Sequence, residues 1–382
     1  MSRLNKKLAY EAKLLAALDH PNIVKVHEVL QDESQVAMVL EYVEGKDLSH
    51  YYKNNPLFDT LEAIATIMEQ ILSALAYLHY KGVIHKDIKL QNIMLEEPSP
   101  YSNLKLIDFG FSEIKSRDWT KNNAGTAYYI APEIFQKNYD RKCDVWSVGI
   151  LLYLFLYKDF PFKGKTFQKI SEQILTKDID KLLEEKDNDK KDPLVINFLK
   201  KLLERDPGKR YSVQDALNDP FIQKYAKLPK IYAQDFELFK IYHDKTVMEL
   251  VFSSVYVHNL MDNKEKSNFI RIFRAIDKQR RGYICNEDFQ KLDFGKDQDI
   301  MKVEVNDPGQ TGRLGLTNLI ISCVDLNRKD VIRQLFVYLD TDQDLVVNIE
   351  ELYLVLEKYI DKKVLEQIKI HFKKLKNSRV SL

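Results

Sequence analysis

Apolar residues recur along the chain with two different periods, and these periods predict most of its elements. From Leu61 to His79 they fall at positions i, i+3 and i+4, which indicates one long helix with a buried face. Two runs rich in β-branched residues, Ile23–Leu30 and Val36–Val43, flank a polar turn and predict a β-hairpin. The continuous apolar run Val145–Tyr157 is too short for a bilayer, which takes about 20 residues, and therefore predicts a buried helix.

Shorter patterns add further elements. The segment Tyr10–Leu18 has helical spacing and ends just before a proline, and Leu104–Ile107 has the composition of a short strand. The charged run Glu184–Asp192 predicts a solvated loop. Residues Lys224–Lys266 have the pattern of a helical junction, which is either a plain linker or a segment that occupies a cleft.

Composition narrows the class of protein only modestly. The chain has 382 residues, of which 45% are hydrophobic and 30% charged, so we expect two or three globular domains. The net charge of +1 gives no reason to expect nucleic acid or an anionic membrane as a partner. The three isolated cysteines and the polar first residues, without a signal-peptide core, predict a cytoplasmic protein with reduced thiols.

The segment His85–Asn92 carries the densest group of candidate catalytic residues. Asp87, Lys89 and Asn92 can all project into one pocket from a single ordered loop, and Asp108 follows the short predicted strand. Transfer of a phosphoryl group from a nucleotide needs such a set. One carboxylate positions the attacking hydroxyl, a cation neutralises the migrating group, and an Asn and an Asp hold magnesium against the phosphate oxygens.

With Asp-Phe-Gly at 108–110 and Ala-Pro-Glu at 131–133, this loop resembles the catalytic loop of the eukaryotic protein kinases. The resemblance implies that Asp87 accepts the proton of the substrate hydroxyl and that Lys89 contacts the γ-phosphate. Lys89 also favours Ser/Thr substrates. Asn92 and Asp108 match the two magnesium ligands of the family.

The same resemblance assigns the nucleotide site and the residues that brace it. Glu41 and Val43 fall in the hinge, where backbone groups would bind the adenine of ATP. Asp144 matches the Asp that braces the catalytic loop, and Arg210 matches the Arg that pairs with Glu133. The family carries a Gly-rich loop, three strands and a strand lysine before its regulatory helix, and this chain has nine residues before Tyr10–Leu18. We therefore expect a small lobe without those parts.

One residue of the catalytic loop differs from the family pattern. Lys86 stands where the family usually has an Arg that forks onto a phosphorylated residue of the activation loop. Lysine cannot make that bidentate contact, so activation by loop phosphorylation is less expected here.

Three loops spaced by about thirty residues follow, each flanked by helical patterns. The third, Asp340–Glu351, fits the twelve-residue calcium loop of an EF-hand, although Leu345 stands at position six, where Gly normally permits the turn. The predicted calcium ligands are Asp340, Asp342, Asp344, Asn348 and Glu351. No fourth hand is evident in Tyr353–Leu382.

The first two loops are degenerate. The loops Asp277–Asp288 and Asp307–Asn318 keep Gly282 and Gly312 at the turn, but Arg281 occupies a ligand position of the first. Neither loop offers enough negative charge to hold a divalent cation, so we expect both to serve helix packing.

Kinase motifs, junction and EF-hand-like loops in this order resemble the calcium-dependent protein kinases. The expected fold class is α+β, mainly α, with a kinase domain at 1–223, a helical junction at 224–266 and a degenerate EF-hand domain at 267–382. The resemblance implies a calcium-regulated serine/threonine kinase that uses ATP, magnesium and calcium and acts on protein substrates. We expect a monomer with intramolecular regulation, no membrane span and no nucleic-acid partner.

Two alternatives stay open at this point. The expected loss of the first strands favours a weak or inactive pseudokinase that acts as a calcium-responsive binding module. A calcium sensor whose kinase lobe is only a docking platform is the third possibility, and it predicts calcium-dependent partner binding that survives Asp108→Asn.

Overall fold

The structure is a computed structural model of the chain, and it divides into two compact units that we describe separately. Unit 1 comprises residues 1–228 and 279–282, and unit 2 comprises residues 229–278 and 283–382. The structure describes residues 12, 15–32, 35–53, 55–109, 127–136, 139–186, 191–235, 245–292, 312–357, 365 and 379–381.

Unit 1 contains short strands followed by a large helical part. The described strands are β1 (Val26–Gln31), β2 (Val36–Leu40), β3 (Ile93–Leu95) and β4 (Leu104–Leu106). The described helices are α1 (Leu48–Tyr51), α2 (Leu61–Tyr80), α3 (Pro132–Phe135), α4 (Lys142–Tyr157), α5 (Phe167–Thr176), α6 (Ile179–Lys186), α7 (Pro193–Leu202), α8 (Val213–Leu217) and α9 (Pro220–Tyr225). Single 3₁₀ turns lie at Pro56–Asp59 and Leu90–Asn92.

The predicted hairpin is confirmed. Strands β1 and β2 pair antiparallel, and β3 pairs antiparallel with β4. Strand β1 begins later than the apolar pattern suggested, because Ile23 forms an isolated parallel bridge with Leu106 and the N–H of Val24 donates to the Leu106 carbonyl. The first residues of the apolar run therefore attach the hairpin to β4.

Two buried helices form the centre of unit 1, as their apolar patterns predicted. Helix α2 begins at Thr60, whose side chain accepts the N–H of Ala63, and its described side chains are almost all buried. Its length and hydropathy would also suit a membrane span, but 83% of that window is buried inside the protein, as expected of a core helix. Helix α4 buries Trp146 and Tyr153 completely and ends at Lys158, which has a left-handed backbone.

The predicted loop Glu184–Asp192 is wrong over its first three residues. Glu184, Glu185 and Lys186 form the exposed end of helix α6, whose Leu182 and Leu183 are buried. Charge density correctly indicated solvent exposure, but an exposed helix end has the same composition as a solvated loop. At the other end of the run, Asp192 caps helix α7 by accepting the N–H of Leu194.

Unit 2 is a helical unit with short strand pairings. Its described helices are α10 (Val247–Asn259), α11 (Asn263–Ile276), α12 (Asn286–Gln290), α13 (Leu316–Cys323), α14 (Lys329–Leu339) and α15 (Ile349–Leu356). Its described strands are β5 (Val346–Asn348) and β6 (Arg379–Ser381), and a 3₁₀ turn lies at Ala233–Asp235. The apolar run of the predicted junction lies in α10, and Val255 and Tyr256 are buried in the core of unit 2.

Each predicted loop of unit 2 takes part in a backbone pairing. Ile284, at position eight of the first loop, and Leu314, at position eight of the second, exchange two N–H···O bonds of 2.9 and 2.8 Å. Val347, at position eight of the third loop, pairs with Val380. Strand β6 was not foreseen from the sequence, because a three-residue strand carries too little period to be recognised.

Candidate functional site

The catalytic loop is fixed by a carboxylate from a distant helix. Asp144, on α4, is fully buried, and its Oδ1 accepts the backbone N–H of Lys86 at 2.7 Å. Its Oδ2 accepts the N–H of His85 at 3.0 Å and lies 2.8 Å from Nε2 of His79. Burial raises the pKa of the Asp144 carboxyl, but the hydrogen bond from His79 and the nearby histidines outweigh it, so the net pKa lies below its usual range. An ionised Asp144 therefore holds the loop.

Three predicted site residues meet around one carboxylate. Nζ of Lys89 lies 2.7 Å from Oδ2 of Asp87, and Nδ2 of Asn92 donates to the same oxygen at 2.9 Å. Nδ2 of Asn92 also donates to the Asp87 backbone carbonyl at 2.9 Å. Because both bonds use the amide nitrogen, the Asn92 Oδ1 oxygen faces away from Asp87. A side-chain oxygen in that position is a ligand type that magnesium accepts.

A cavity of about 530 Å³ lies between the hairpin and strands β3 and β4. The predicted hinge residues Glu41 and Val43 line it, and Leu40 and the predicted magnesium ligand Asp108 do so too. Asp108 has a positive φ of 60°, an uncommon backbone for a residue other than Gly, and its side chain is exposed. All the predicted nucleotide-contacting residues of the hinge therefore border one mostly apolar cavity.

Part of this cavity lining was not predicted from the sequence. Met94 on β3 and Ile107 after β4 both face the cavity. Both are close in sequence to predicted site residues, because Met94 follows Asn92 by two residues and Ile107 directly precedes Asp108. Phe109 also lines the cavity, and its ring centroid lies 4.9 Å from that of the buried His85. Burial lowers the pKa of His85, which favours a neutral ring at this contact.

The predicted pair between Glu133 and Arg210 is confirmed. The two guanidinium nitrogens donate to the two carboxylate oxygens at 2.6 and 2.9 Å, and both side chains are buried. The guanidinium carbon also lies 5.2 Å from the centroid of the Trp146 ring. This pair ties helix α3, which carries the Ala-Pro-Glu motif, to the segment that precedes α8.

Lys86 is held by an aromatic side chain. Its Nζ donates to the Tyr139 hydroxyl at 3.0 Å and lies 4.7 Å from the centroid of that ring. The family resemblance also places Glu11 where the Glu that pairs with the strand lysine stands, and Glu11 lies outside the described residues, as do 1–10 and 110–126. The expectation of an incomplete small lobe therefore stays a prediction.

In unit 2 the third loop brings three of its five predicted calcium ligands together. One carboxylate oxygen from each of Asp340, Asp342 and Glu351 lies within 4.8 Å of the others. Two oxygens bound to one calcium ion are at most about 5 Å apart, because each bond is about 2.3–2.6 Å long. The three carboxylates therefore fit a calcium ion.

The other two predicted ligands make local contacts. Oδ1 of Asp344 accepts the N–H of Val346 at 2.8 Å, and Oδ1 of Asn348 accepts two N–H groups at the start of α15. Asn348 and Glu351 form a capping box, because Oε2 of Glu351 in turn accepts the N–H of Asn348 at 2.9 Å.

The titration of this loop follows from its hydrogen bonds. The N–H groups of Asn348, Asp342 and Thr341 hold the pKa of Glu351 below its ordinary value. The N–H of Asp344 also lowers the pKa of Asp342, but burial and the neighbouring carboxylates outweigh it and raise that pKa overall. Mutual repulsion at Asp342 is the expected property of a site built to receive a cation.

Comparison with known proteins agrees with this geometry. A protein kinase domain model matches residues 1–222. Calcium-dependent protein kinase 6 of Plasmodium berghei (strain Anka) is 30% identical over 393 residues, which cover 98% of this chain and 26% of that protein. Calcium-dependent protein kinase 5 of Plasmodium falciparum (isolate 3D7) is 29% identical over 371 residues, which cover 92% of this chain and 64% of that protein.

The chain belongs to the protein kinase family, since the domain model matches more than half of its length. It is similar to calcium-dependent protein kinases over more than nine tenths of its residues, which confirms the resemblance drawn from the motifs. The chain spans about a quarter of the first of these relatives and less than two thirds of the second.

Proposed function

We propose that this chain is a serine/threonine protein kinase that transfers the γ-phosphoryl group of ATP to protein substrates and responds to calcium. The observation that carries the proposal is the cluster of Asp87, Lys89 and Asn92 in a loop braced by the buried Asp144. The relatives named as calcium-dependent protein kinases support the same class of activity.

Each residue of the cluster has a role that its contacts support. The Asp87 carboxylate is held by Lys89 and Asn92, so it can orient a substrate hydroxyl and accept its proton. Lys89, whose Nζ lies 2.7 Å from Oδ2 of Asp87, carries the positive charge that would neutralise a phosphoryl group at this place. Backbone groups of Glu41 and Val43 are assigned to the adenine, and Met94, which lines the same cavity, to a face of the ring.

Asn92 and Asp108 are the residues that would hold magnesium. Both offer side-chain oxygens, and the amide orientation of Asn92 leaves its Oδ1 turned away from Asp87. When bound, magnesium neutralises the negative charge of the nucleotide phosphates. Asp108 lines the cavity and Asn92 is held against Asp87, so the protein's own part is to fix these two side chains.

We further propose that the loops of unit 2 form an EF-hand domain in which the third loop binds calcium. The carboxylates of Asp340, Asp342 and Glu351 support the ion site. The reciprocal bridge between Ile284 and Leu314 supports paired hands, because each residue stands at the same position of its own loop. In the described part of the first two loops, Gly282 and Gly312 have positive φ angles of 73° and 68°.

A binding module without catalysis is the second candidate, and the hairpin beside the cavity favours it. Leu30, Met38 and Leu40 are each between 42% and 49% exposed, and Tyr42 is 79% exposed. An apolar strand surface of this kind suits association with another polypeptide as well as it suits a nucleotide site.

The test is phosphate transfer from magnesium-ATP to a generic basic peptide, with and without calcium. Asp87→Asn is expected to lower kcat by about 10²–10⁴-fold, the usual contribution of a positioned general base. Asp180→Asn is the matched control, because Asp180 is a surface carboxylate in an ion pair with Lys200. Equal activity in wild type and Asp87→Asn, or no activity in any condition, would favour the binding module.

A further inference from the structure

Lys105 is a buried cation beside the cavity that has no part in the functions assigned so far. It lies on β4 between Leu104 and Leu106, and its side chain is only 6% exposed. A lysine is almost never buried to this degree unless its charge is paired. Its partners therefore indicate what this residue does.

The first partner is the side chain of a hinge residue. Nζ of Lys105 lies 2.7 Å from Oε1 of Glu41, and the same oxygen accepts the backbone N–H of Lys25 at 3.1 Å. The backbone N–H of Glu41 in turn donates to the Lys25 carbonyl at 2.8 Å. Glu41 is thus fixed through both its backbone and its carboxylate.

The second partner extends this arrangement along the sheet. Oε1 of Glu96 lies 3.7 Å from Nζ of Lys105 and accepts Nδ2 of Asn103 at 2.8 Å. Lys105 is also the cross-strand partner of Met94, which lines the cavity. The side chains of such a pair stand on the same face of the sheet. The ammonium group therefore links the hinge to the strands that form the floor of the cavity.

We propose that Lys105 is a positioning residue for adenine, and that it acts by holding Glu41 so that the hinge backbone faces the cavity. The inference rests on the proposed function, because it assumes that adenine occupies this cavity. Loss of the ammonium group leaves the Glu41 carboxylate held, among the described residues, only by the Lys25 N–H, so the hinge carbonyl and N–H groups are held less firmly in their orientation. The effect falls on nucleotide binding, because Asp87 and Lys89 are held by a separate set of contacts.

The experiment combines two measurements on the full chain. A steady-state assay with a basic peptide gives kcat and the KM for ATP. A binding titration gives the Kd of a fluorescent ATP analogue. Lys105→Met is expected to raise KM and Kd by about tenfold, which corresponds to about 1.4 kcal/mol of binding free energy, the usual net contribution of one hydrogen bond. At saturating ATP, kcat is expected to stay within about twofold of wild type, the signature of lost binding in ground and transition states alike.

Four further variants separate positioning from general structure. Lys105→Arg keeps the charge and is expected to retain most of the affinity. Glu41→Gln is expected to raise KM, and the double variant with Lys105→Met should add little, since both changes break one interaction. Lys200→Met is the matched control, because Lys200 makes an ion pair of the same 2.7 Å length on the surface.

The outcomes distinguish this inference from the proposed function. An unchanged KM and Kd in Lys105→Met, or a fall in kcat alone, would overturn the positioning role. If the wild-type chain binds the analogue but transfers no phosphate, the kinase proposal fails and the Kd values alone decide on Lys105. If the wild-type chain binds no adenine nucleotide, both are overturned.

Discussion

The catalytic loop of unit 1 and the acidic loop of unit 2 both carry the charged residues of a predicted site, but their contacts span very different lengths of chain. The N–H groups of His85 and Lys86 bind a carboxylate 59 and 58 residues further on, in a fully buried position. In Asp340–Glu351 the N–H groups bind carboxylates no more than ten residues away.

This difference shows two ways of assembling charged groups. The catalytic loop is ordered by the packing of unit 1, so the position of Asp87 depends on contacts within the protein. The acidic loop is ordered by its own turn, and the repulsion that raises the pKa of Asp342 remains for a cation to relieve. The first site is expected to be rigid, and the second to depend on its ion.

The largest effect is expected when the distant carboxylate of Asp144 is removed. Asp144→Ala leaves two buried N–H groups without their acceptor, so the free energy of unfolding of unit 1 should fall by about 3–5 kcal/mol. Tryptophan fluorescence in urea measures this, because both tryptophans of the chain fall within residues 1–228. The surface variant Asp180→Ala is the control, and a loss no larger than in that control would contradict the bracing role.

The next test removes one carboxylate from the acidic loop. Loss of a residue that orients a metal ligand typically weakens metal binding by about 10–100-fold. Glu351→Gln, which changes a predicted ligand itself, should weaken calcium binding by at least as much. Unit 2 should stay folded, because Gln can still accept the N–H groups of Thr341 and Asp342. Calorimetric titration with calcium measures the change, with the adjacent exposed Glu350→Gln as control. Equal affinity in the two variants would exclude Glu351 as a ligand.

The third prediction concerns how the stability of unit 1 depends on pH. Burial lowers the pKa of His85, so the folded state keeps this ring neutral at a pH where the unfolded chain, with a pKa near 6.5, binds a proton. Its stabilising contribution is complete above about pH 6.5 and is lost as the pH falls, by up to about 1.4 kcal/mol per pH unit.

Urea unfolding at several pH values between 7.5 and 5.5, followed by tryptophan fluorescence, gives this slope. It should be shallower in His85→Gln, whose side chain does not titrate. An identical slope in the variant would mean that another group of unit 1 controls its acid stability.

The smallest expected effect concerns the turn of the acidic loop. Leu345 has a positive φ of 64°, the region that Gly282 and Gly312 occupy at the same position of the first two loops. Leu345→Gly should raise the free energy of unfolding of unit 2 by about 1 kcal/mol, because a left-handed backbone is costly for leucine and its side chain is 67% exposed.

Calcium affinity should change little in Leu345→Gly, since the turn already has the left-handed backbone that Gly adopts readily. Thermal unfolding and calcium titration of the same variant separate the two quantities. A gain in affinity without a gain in stability would show that the turn forms only on binding.

Prediction from sequence succeeded where a pattern was long or a motif was tied to one geometry. Helix α2 and the hairpin follow from period alone, and the buried pair of Glu133 with Arg210 follows from the kinase motif. The cluster around Asp87 was predicted as a set, but the direct contact of Lys89 with Asp87 was not.

The failures have a common physical origin. The helix end at Glu184–Lys186 and strand β6 are too short for a period, and composition alone cannot separate exposed helix from exposed loop. Met94 and Lys105 were missed because their roles depend on which strand lies opposite, and the pairing of β3 with β4 is a tertiary contact. A charged residue inside an apolar strand was the one available signal for Lys105.

The hydrogen bonds from the loop to Asp144 also determine how fast the amide hydrogens of the loop exchange with solvent. The amide of Lys86 lies in a loop, yet its hydrogen can exchange with solvent only when the loop separates from helix α4. We expect it to exchange as slowly as the amides in the centre of that helix. The amide of Val346 donates to an exposed carboxylate two residues away and should exchange far faster. Slow exchange at Lys86 would therefore show that the loop opens only when the packing of unit 1 opens.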